Sequence, residues 1–141
     1  MPLTIPIAAF VAALAGSLLL TPLVAAIARS RGFLDQPDGA RKLHTIPVPR
    51  CGGVAVFLAF VGAWCVAAAL PGAGTAFELE SALPLLLAAT IVMLAGLVDD
   101  VRGLSPFAKI LAQAAAGLLL FAAGYRVETI GLPWGGTIEL G

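Results

Sequence analysis

Two adjacent carboxylates, Asp99 and Asp100, follow an apolar stretch whose pattern predicts a helix over residues 81–98. A helix carries partial negative charge at its C-terminal end, so the dipole and the neighbouring carboxylate both disfavour each acid there. Lys109 lies in the first turn of the next predicted helix, where a cation is equally mismatched. A divalent cation beside the aspartates and an anion beside the lysine would relieve both mismatches. The pattern therefore predicts a site for Mg²⁺ and phosphate.

A second candidate phosphate-binding segment contains Arg41, Lys42 and His44, three hydrogen-bond donors within four residues. Prolines follow them and restrict the backbone to extended conformations. Gly52 and Gly53 come next, where the chain enters a predicted helix and can present backbone amides to an anion. This segment is predicted to bind pyrophosphate. For His44, a solvated loop histidine is the alternative interpretation.

The acidic pair also has a purely structural interpretation. In it, Asp99 and Asp100 mark the membrane–water boundary and form ion pairs with Arg102 and Lys109. Gln113 lies four residues after Lys109 on the same helix face. Because an amide facing lipid would lack partners, Gln113 is predicted to face the interior of the helix bundle.

The composition shows whether these residues belong to a water-soluble protein or to a membrane protein. Of the 141 residues, 60% are hydrophobic and 11% are charged, with a mean hydropathy of +1.03. A soluble domain has roughly a quarter charged residues, so an integral membrane protein is indicated. Eight basic residues balance eight acidic ones, which excludes a nucleic-acid binder with a basic face. Two cysteines exclude a disulfide framework and a cysteine-rich zinc module.

An all-α, polytopic transmembrane bundle of about four spanning helices is the predicted fold, because a span needs about 20 apolar residues. Four stretches lack Asp, Glu, Lys and Arg: residues 1–28, 51–77, 81–98 and 110–125. The predicted helices cover about Leu3–Ala28, Gly53–Leu70, Ser81–Val98 and Phe107–Gly124. The tail around residues 132–136 predicts a short outer β-hairpin.

The basic residues set the predicted orientation. Seven of the eight lie in two connecting segments, residues 29–52 and 99–106, or at their edge, and only Arg126 lies on the opposite side. The positive-inside rule places these two segments in the cytoplasm and the N-terminus outside. A cleavable signal peptide is the alternative for residues 1–28, but no basic region precedes the apolar run.

Three motifs together resemble one known family. They are GFLDxP at residues 32–37, RKxHxxPxPxxGG at residues 41–53 and GLVDDxxxLSPxxKxxxQ at residues 96–113. In this joint spacing the chain is similar to the polyprenyl-phosphate N-acetylhexosamine-1-phosphate transferases, in particular the undecaprenyl-phosphate N-acetylglucosamine type. The outer segment GLPWGGTIE at residues 131–139 is also similar to that group.

The resemblance implies a multi-pass enzyme of the bacterial cytoplasmic membrane. Such an enzyme transfers a sugar-1-phosphate, with N-acetylglucosamine-1-phosphate as the expected group, from a UDP-N-acetylhexosamine to undecaprenyl phosphate and releases UMP. This is the first membrane step of cell-envelope glycan synthesis, and it requires Mg²⁺. The resemblance assigns the metal and the chemistry to Asp99 and Asp100, and phosphate oxygens to Lys42, His44 and Lys109.

The resemblance has one departure. Family members have about ten or eleven spanning helices, and later Asp-containing and His-rich cytoplasmic motifs have no counterpart here. Residues 1–141 are therefore predicted to be the N-terminal part of one transferase domain, inactive alone. The competing hypothesis is a non-enzymatic four-helix membrane scaffold or small transporter subunit whose acidic pair and Lys109 form a helix-edge ion pair.

Overall fold

A computed structural model describes residues 2–35 and 47–140 of the chain, except for the side chain of Ala76. The helices are α1 (Thr4–Ser30), α2 (Gly52–Ala69), α3 (Leu79–Arg102) and α4 (Pro106–Ala122), with one 3-10 turn at Thr75–Phe77. The strands are β1 (Leu34–Asp35), β2 (Val48–Pro49), β3 (Thr129–Gly131) and β4 (Thr137–Glu139). This architecture confirms the predicted all-α polytopic fold.

Three of the described helices, α1, α2 and α3, are long and apolar enough to cross a membrane. The fourth, α4, is an apolar helix of 17 residues. At 1.5 Å per residue it extends about 26 Å, slightly less than the hydrocarbon thickness of a typical bilayer. Most large apolar side chains on these helices are exposed, as expected where lipid or neighbouring helices form the surroundings.

The helix boundaries differ from the predicted ones in one place that matters for the site. We predicted that α3 ends at Val98, but it continues to Arg102. Gly103 then ends the helix with a φ of 72°, and its N–H donates to the carbonyl of Asp99 at 2.9 Å. This hydrogen bond completes the last turn of α3 as far as Arg102. Both aspartates therefore lie inside α3 rather than in a loop after it.

The start of α4 agrees with its sequence. Ser105 is the N-cap, and its hydroxyl accepts a hydrogen bond from the N–H of Ala108 at 3.2 Å. Pro106 occupies the first helical position, where its missing N–H costs nothing. Only residues 103–105 connect α3 to α4, so the end of one helix and the beginning of the next are held close together.

Close packing of α1 against α2 depends on small side chains. Ala55, Ala59, Ala63 and Ala67 recur at every fourth position along α2 and are all buried. Opposite them, a Cβ added to Gly16 would lie 3.3 Å from the Cβ of Ala59. Small residues let membrane helices approach closely, so this stripe forms the tightest helix contact in the described structure.

The described structure also contains two short antiparallel ribbons, one between α1 and α2 and one after α4. β1 pairs with β2 so that Leu34 faces Pro49 and Asp35 faces Val48. β3 pairs with β4, with Ile130 opposite Ile138, which confirms the predicted hairpin near the C-terminal end. The sequence did not lead us to predict the β1–β2 ribbon, which lies within the segment assigned to the first cytoplasmic loop.

Gly16→Leu is expected to destabilise the α1–α2 pair by about 1–3 kcal/mol, because the added side chain overlaps Ala59. The matched control is Gly62→Leu, since a Cβ at Gly62 meets no atom within 4 Å. Thermal unfolding of the purified chain in detergent measures both variants. Equal loss of stability in the two variants would contradict the packing assigned to Gly16.

Candidate functional site

The described structure contains a cleft of about 650 Å³ at the ends of the helices that carry the acidic pair. The β1–β2 ribbon, the beginning of α2 and the end of α3 form its walls. Its polar lining includes Asp35, Arg50, Asp99 and Asp100. Gly52, the first residue of α2, also lines this cleft.

Asp99 connects the end of α3 to the beginning of α4. Its Oδ1 accepts a hydrogen bond from the N–H of Leu104 at 2.8 Å. Its Oδ2 forms an ion pair with Nζ of Lys109, also at 2.8 Å. Both oxygens therefore have a partner within the turn between the two helices, which fixes the orientation of this carboxylate.

Asp100 connects the same end of α3 to the beginning of α2. Its Oδ2 accepts a hydrogen bond from the backbone N–H of Cys51 at 2.8 Å. Its backbone carbonyl accepts a hydrogen bond from Nη1 of Arg50 at 3.2 Å. The two aspartates, although adjacent in sequence, are thus held by different elements on different sides.

Arg50 also closes the β1–β2 ribbon. Its Nη2 forms an ion pair with Oδ1 of Asp35, and its N–H donates to the carbonyl of Phe33 at 3.0 Å. The hydrogen bond with Asp35 raises the pKa of Arg50 above its already high ordinary value. Arg50 therefore stays fully charged while it contacts both the ribbon and α3.

Cys51 has an unusual backbone conformation. With a φ of 70°, it is the one non-glycine residue of positive φ in residues 2–35 and 47–140. It is the N-cap of α2, and its side chain is buried. Burial raises the pKa of the Cys51 thiol, which remains neutral, so packing rather than thiolate chemistry is its role here.

The structure brings together some of the predicted site residues. Asp99, Asp100 and Gly52 line the cleft, and Lys109 forms an ion pair with Asp99. Gly53 follows Gly52 in the first turn of α2 and lines an adjoining apolar groove. The predicted phosphate ligands Arg41, Lys42 and His44 lie outside the described residues.

Of the two ion-pair partners predicted for the acidic pair, only Lys109 forms an ion pair in the described structure. Within the described segments, Arg102 forms no ion pair with either aspartate. Instead, Arg50 and the Cys51 amide approach Asp100 from a distant part of the sequence. The sequence analysis missed Asp35, Arg50 and Cys51 as members of the site. The short β-prone runs at residues 33–35 and 46–48 were the one sequence feature that could have revealed the ribbon.

The carboxylates fit the kind of Mg²⁺ site that a substrate completes. No group of three or more His, Cys, Asp or Glu side chains that could hold a metal occurs in the described part of the chain. Mg²⁺ is commonly bound through one or two carboxylates, with waters and substrate phosphates as the other ligands. Asp99 and Asp100, adjacent on one cleft wall, supply that number of carboxylates.

An apolar groove of about 910 Å³ adjoins the cleft, between α2, α3 and α4. Phe57, Phe60 and Val92 are among the apolar residues that line it, and Asp99 and Asp100 lie at its polar end. Gln113 also lines this groove, but its side chain is exposed, so its predicted position in the interior of the helix bundle stays a prediction. The acidic pair therefore lies where a polar cleft and an apolar groove meet.

Comparison with known proteins finds a family match over part of the chain. The family described as Glycosyl transferase family 4 matches residues 82–141, the part of the chain that contains Asp99, Asp100 and Lys109. This match supports the family to which the motifs point. The chain is a membrane protein with several apolar helices.

Two named transferases are similar to this chain. The decaprenyl-phosphate N-acetylglucosaminephosphotransferase of Mycobacterium tuberculosis (strain H37Rv) is 36% identical over 97 residues, which are 68% of this chain and 24% of the relative. The probable undecaprenyl-phosphate N-acetylglucosaminyl 1-phosphate transferase of Bacillus subtilis (strain 168) is 30% identical over 128 residues, which are 91% of this chain and 34% of the relative.

The chain thus spans between about a quarter and a third of the length of these relatives. No solved structure matches it.

The positive φ at Cys51 predicts an unusual order of tolerance. Cys51→Gly is expected to cost about 1 kcal/mol or less, because glycine adopts this conformation without strain. Cys51→Val is expected to cost about 1–3 kcal/mol, because a β-branched residue is strongly disfavoured there. Thermal unfolding compares the two, with Cys65→Val on the exposed face of α2 as the control. A more stable valine variant at position 51 would contradict the assigned backbone.

Proposed function

We propose that this chain forms part of an enzyme that transfers N-acetylglucosamine-1-phosphate, or a related N-acetylhexosamine-1-phosphate, from a UDP-sugar to polyprenyl phosphate. Undecaprenyl phosphate is the expected acceptor, and the reaction faces the cytoplasm of the bacterial inner membrane. The observation that carries the proposal is the acidic pair at the junction of a polar cleft and an apolar groove. A water-soluble nucleotide and a membrane lipid can meet at such a junction.

In the proposed reaction, a phosphate oxygen of the polyprenyl phosphate attacks the β-phosphorus of the UDP-sugar. A new phosphorus–oxygen bond forms, and the bond from the β-phosphorus to the oxygen bridging the two phosphates breaks. UMP leaves with that oxygen, and polyprenyl-diphospho-sugar remains in the membrane. The step needs no oxidant or reductant, and its main barrier is the approach of two negatively charged phosphates.

Neutralisation of that charge is the role we assign to the site. Asp99 and Asp100 would hold Mg²⁺, which stabilises negative charge on the phosphate oxygens. Lys109, which forms an ion pair with Asp99, would donate to a phosphate oxygen. Gly52 and Gly53 occupy the first two positions of α2, where backbone N–H groups have no partner within the helix and suit an anion.

The segment with Arg41, Lys42 and His44 is proposed to supply further donors to the same phosphates. Asp35 precedes this segment and Val48 follows it, and both line the cleft. The described residues on both sides of this segment therefore lie at the cleft wall, which supports this assignment.

The names of the relatives support the substrate class. One is named for decaprenyl phosphate and the other for undecaprenyl phosphate, and both for N-acetylglucosamine. Because this chain spans less than two thirds of either relative, we expect purified residues 1–141 alone to form no lipid-linked product from radiolabelled UDP-N-acetylglucosamine. Metal-dependent product from this chain alone would contradict that expectation.

A second candidate function is a non-enzymatic membrane scaffold. The ion pair between Lys109 and Asp99 favours it, because this contact by itself stabilises the turn between α3 and α4. In this alternative, the carboxylates have a purely structural role, and their loss would affect folding and insertion rather than turnover.

Asp99→Asn and Asp100→Asn separate the two functions. We would place residues 1–141 in the Bacillus subtilis relative, in place of its matching segment, and measure transfer from radiolabelled UDP-N-acetylglucosamine to polyprenyl phosphate. Each variant is expected to lose activity by about a hundredfold or more while its membrane insertion is unchanged. Glu128→Gln, an exposed acid in the segment after α4, is the control and should retain activity. Lost insertion with retained specific activity would favour the scaffold.

The proposed orientation is testable by cysteine labelling. In a Cys51→Gly, Cys65→Ala background, Thr45→Cys and Arg102→Cys are expected to react with a membrane-impermeant maleimide only from the cytoplasmic side. Thr137→Cys, in β4, is expected to react only from the outside. Labelling of positions 45 and 102 from opposite faces would exclude a shared site.

A further inference from the structure

We propose that Arg50 is a positioning residue that fixes the Asp100 carboxylate relative to α2 and the β1–β2 ribbon. Its contribution to turnover rests on the proposed function, whereas its effect on Asp100 does not. From its sequence position, Arg50 is only one of the basic residues that set the orientation, and no comparison gives it a role. The inference follows from three contacts that Arg50 and its neighbour Cys51 make with two acidic residues from distant parts of the chain.

The contacts form one continuous connection. The guanidinium of Arg50 is shared between two acceptors: Nη2 binds the Asp35 carboxylate, and Nη1 donates to the Asp100 carbonyl at 3.2 Å. The next backbone N–H, that of Cys51, donates to Oδ2 of Asp100 at 2.8 Å. Arg50 and Cys51 thus hold both the backbone and the side chain of Asp100.

The end of α3 explains why such a connection is needed. The last carbonyls of a helix have no partner within the helix, and they add to the negative charge of two adjacent carboxylates. Arg50 satisfies one of these carbonyls and brings a positive charge to the same place. Lysine cannot replace it, because a single ammonium lacks the planar fork that reaches two acceptors in fixed directions.

The positive φ of Cys51 adds to the constraint. This backbone conformation directs the Cys51 N–H towards Asp100 just before α2 begins. Arg50 is bound on one side by the ribbon, through Asp35 and the carbonyl of Phe33. Loss of the guanidinium would therefore free the segment that carries the amide, and Asp100 would lose the partner that orients its carboxylate.

The test uses the two cysteines of the chain, Cys51 and Cys65. Labelling with ¹⁵N-cysteine gives an NMR spectrum with two backbone amide signals, one from the connection and one from the middle of α2 as an internal reference. In nanodiscs, Arg50→Met and Arg50→Lys are expected to raise the hydrogen-exchange rate of the Cys51 amide about tenfold or more, with Cys65 unchanged. Arg102→Met, an arginine in the same last turn of α3, is the matched control and should change neither.

Mn²⁺ binding gives a second measurement, which separates the effect of Arg50 on the orientation of Asp100 from the effect of its positive charge. Removal of a positive charge near two carboxylates would by itself strengthen cation binding. Loss of orientation is expected to weaken it about tenfold, the usual effect of removing a group that orients a metal ligand. We therefore expect Arg50→Met and Arg50→Lys to need about tenfold more Mn²⁺ to broaden the Cys51 signal. Arg102→Met should need the same amount or less.

Two results would overturn the proposal. One is an unchanged Cys51 exchange rate in Arg50→Met, and the other is equally strengthened Mn²⁺ binding in Arg50→Met and Arg102→Met. If Arg50→Met does not fold, Asp35→Asn keeps the arginine and removes the charge that holds it, and a smaller increase in Cys51 exchange is expected. Failure of the wild-type chain to bind Mn²⁺ through Asp99 and Asp100 would count against the proposed function, while the exchange rates would still decide the role of Arg50.

Discussion

Two adjacent carboxylates at the C-terminal end of α3 must be neutralised at the edge of a membrane, and the surrounding elements do this together. Lys109 from α4 and the Leu104 amide bind Asp99, while the Cys51 amide before α2 binds Asp100. Each contact also connects α3 to a neighbour. The charge that would make this helix end unfavourable therefore determines how α2, α3 and α4 meet.

The apolar part of the structure is organised differently. Small residues bring α1 and α2 into close contact, whereas α3 stands further from α2 and leaves the groove beside the acidic pair. Because lipid provides no hydrophobic driving force between helices, close approach depends on side-chain size and on polar contacts. Here the polar contacts are concentrated at one end, so the groove is open along its length and polar at that end.

The sequence predicted much of the fold and part of the site. Apolar stretches without charge identified all four helices, and the Ser105–Pro106 pair located the start of α4. The end of α3 was predicted four residues too early, because the prediction placed it where the charged residues begin. The helix in fact ends only before Gly103. Arg50 was interpreted only as a topological charge, because its partners lie 15 and about 50 positions away and no local pattern connects them.

By itself, the sequence determined that the chain lies in a membrane, which stretches form the apolar helices of the described segments, and which family the motifs resemble, because these follow from composition, periodicity and motif spacing. It also placed the acidic pair at a helix end, where its charges need partners. Only the tertiary structure decided which partners these are: the Cys51 amide, Lys109 and the Arg50 guanidinium. The reason is physical, since a hydrogen bond depends on distance and direction in space, and residues far apart in the chain meet only after the helices have packed.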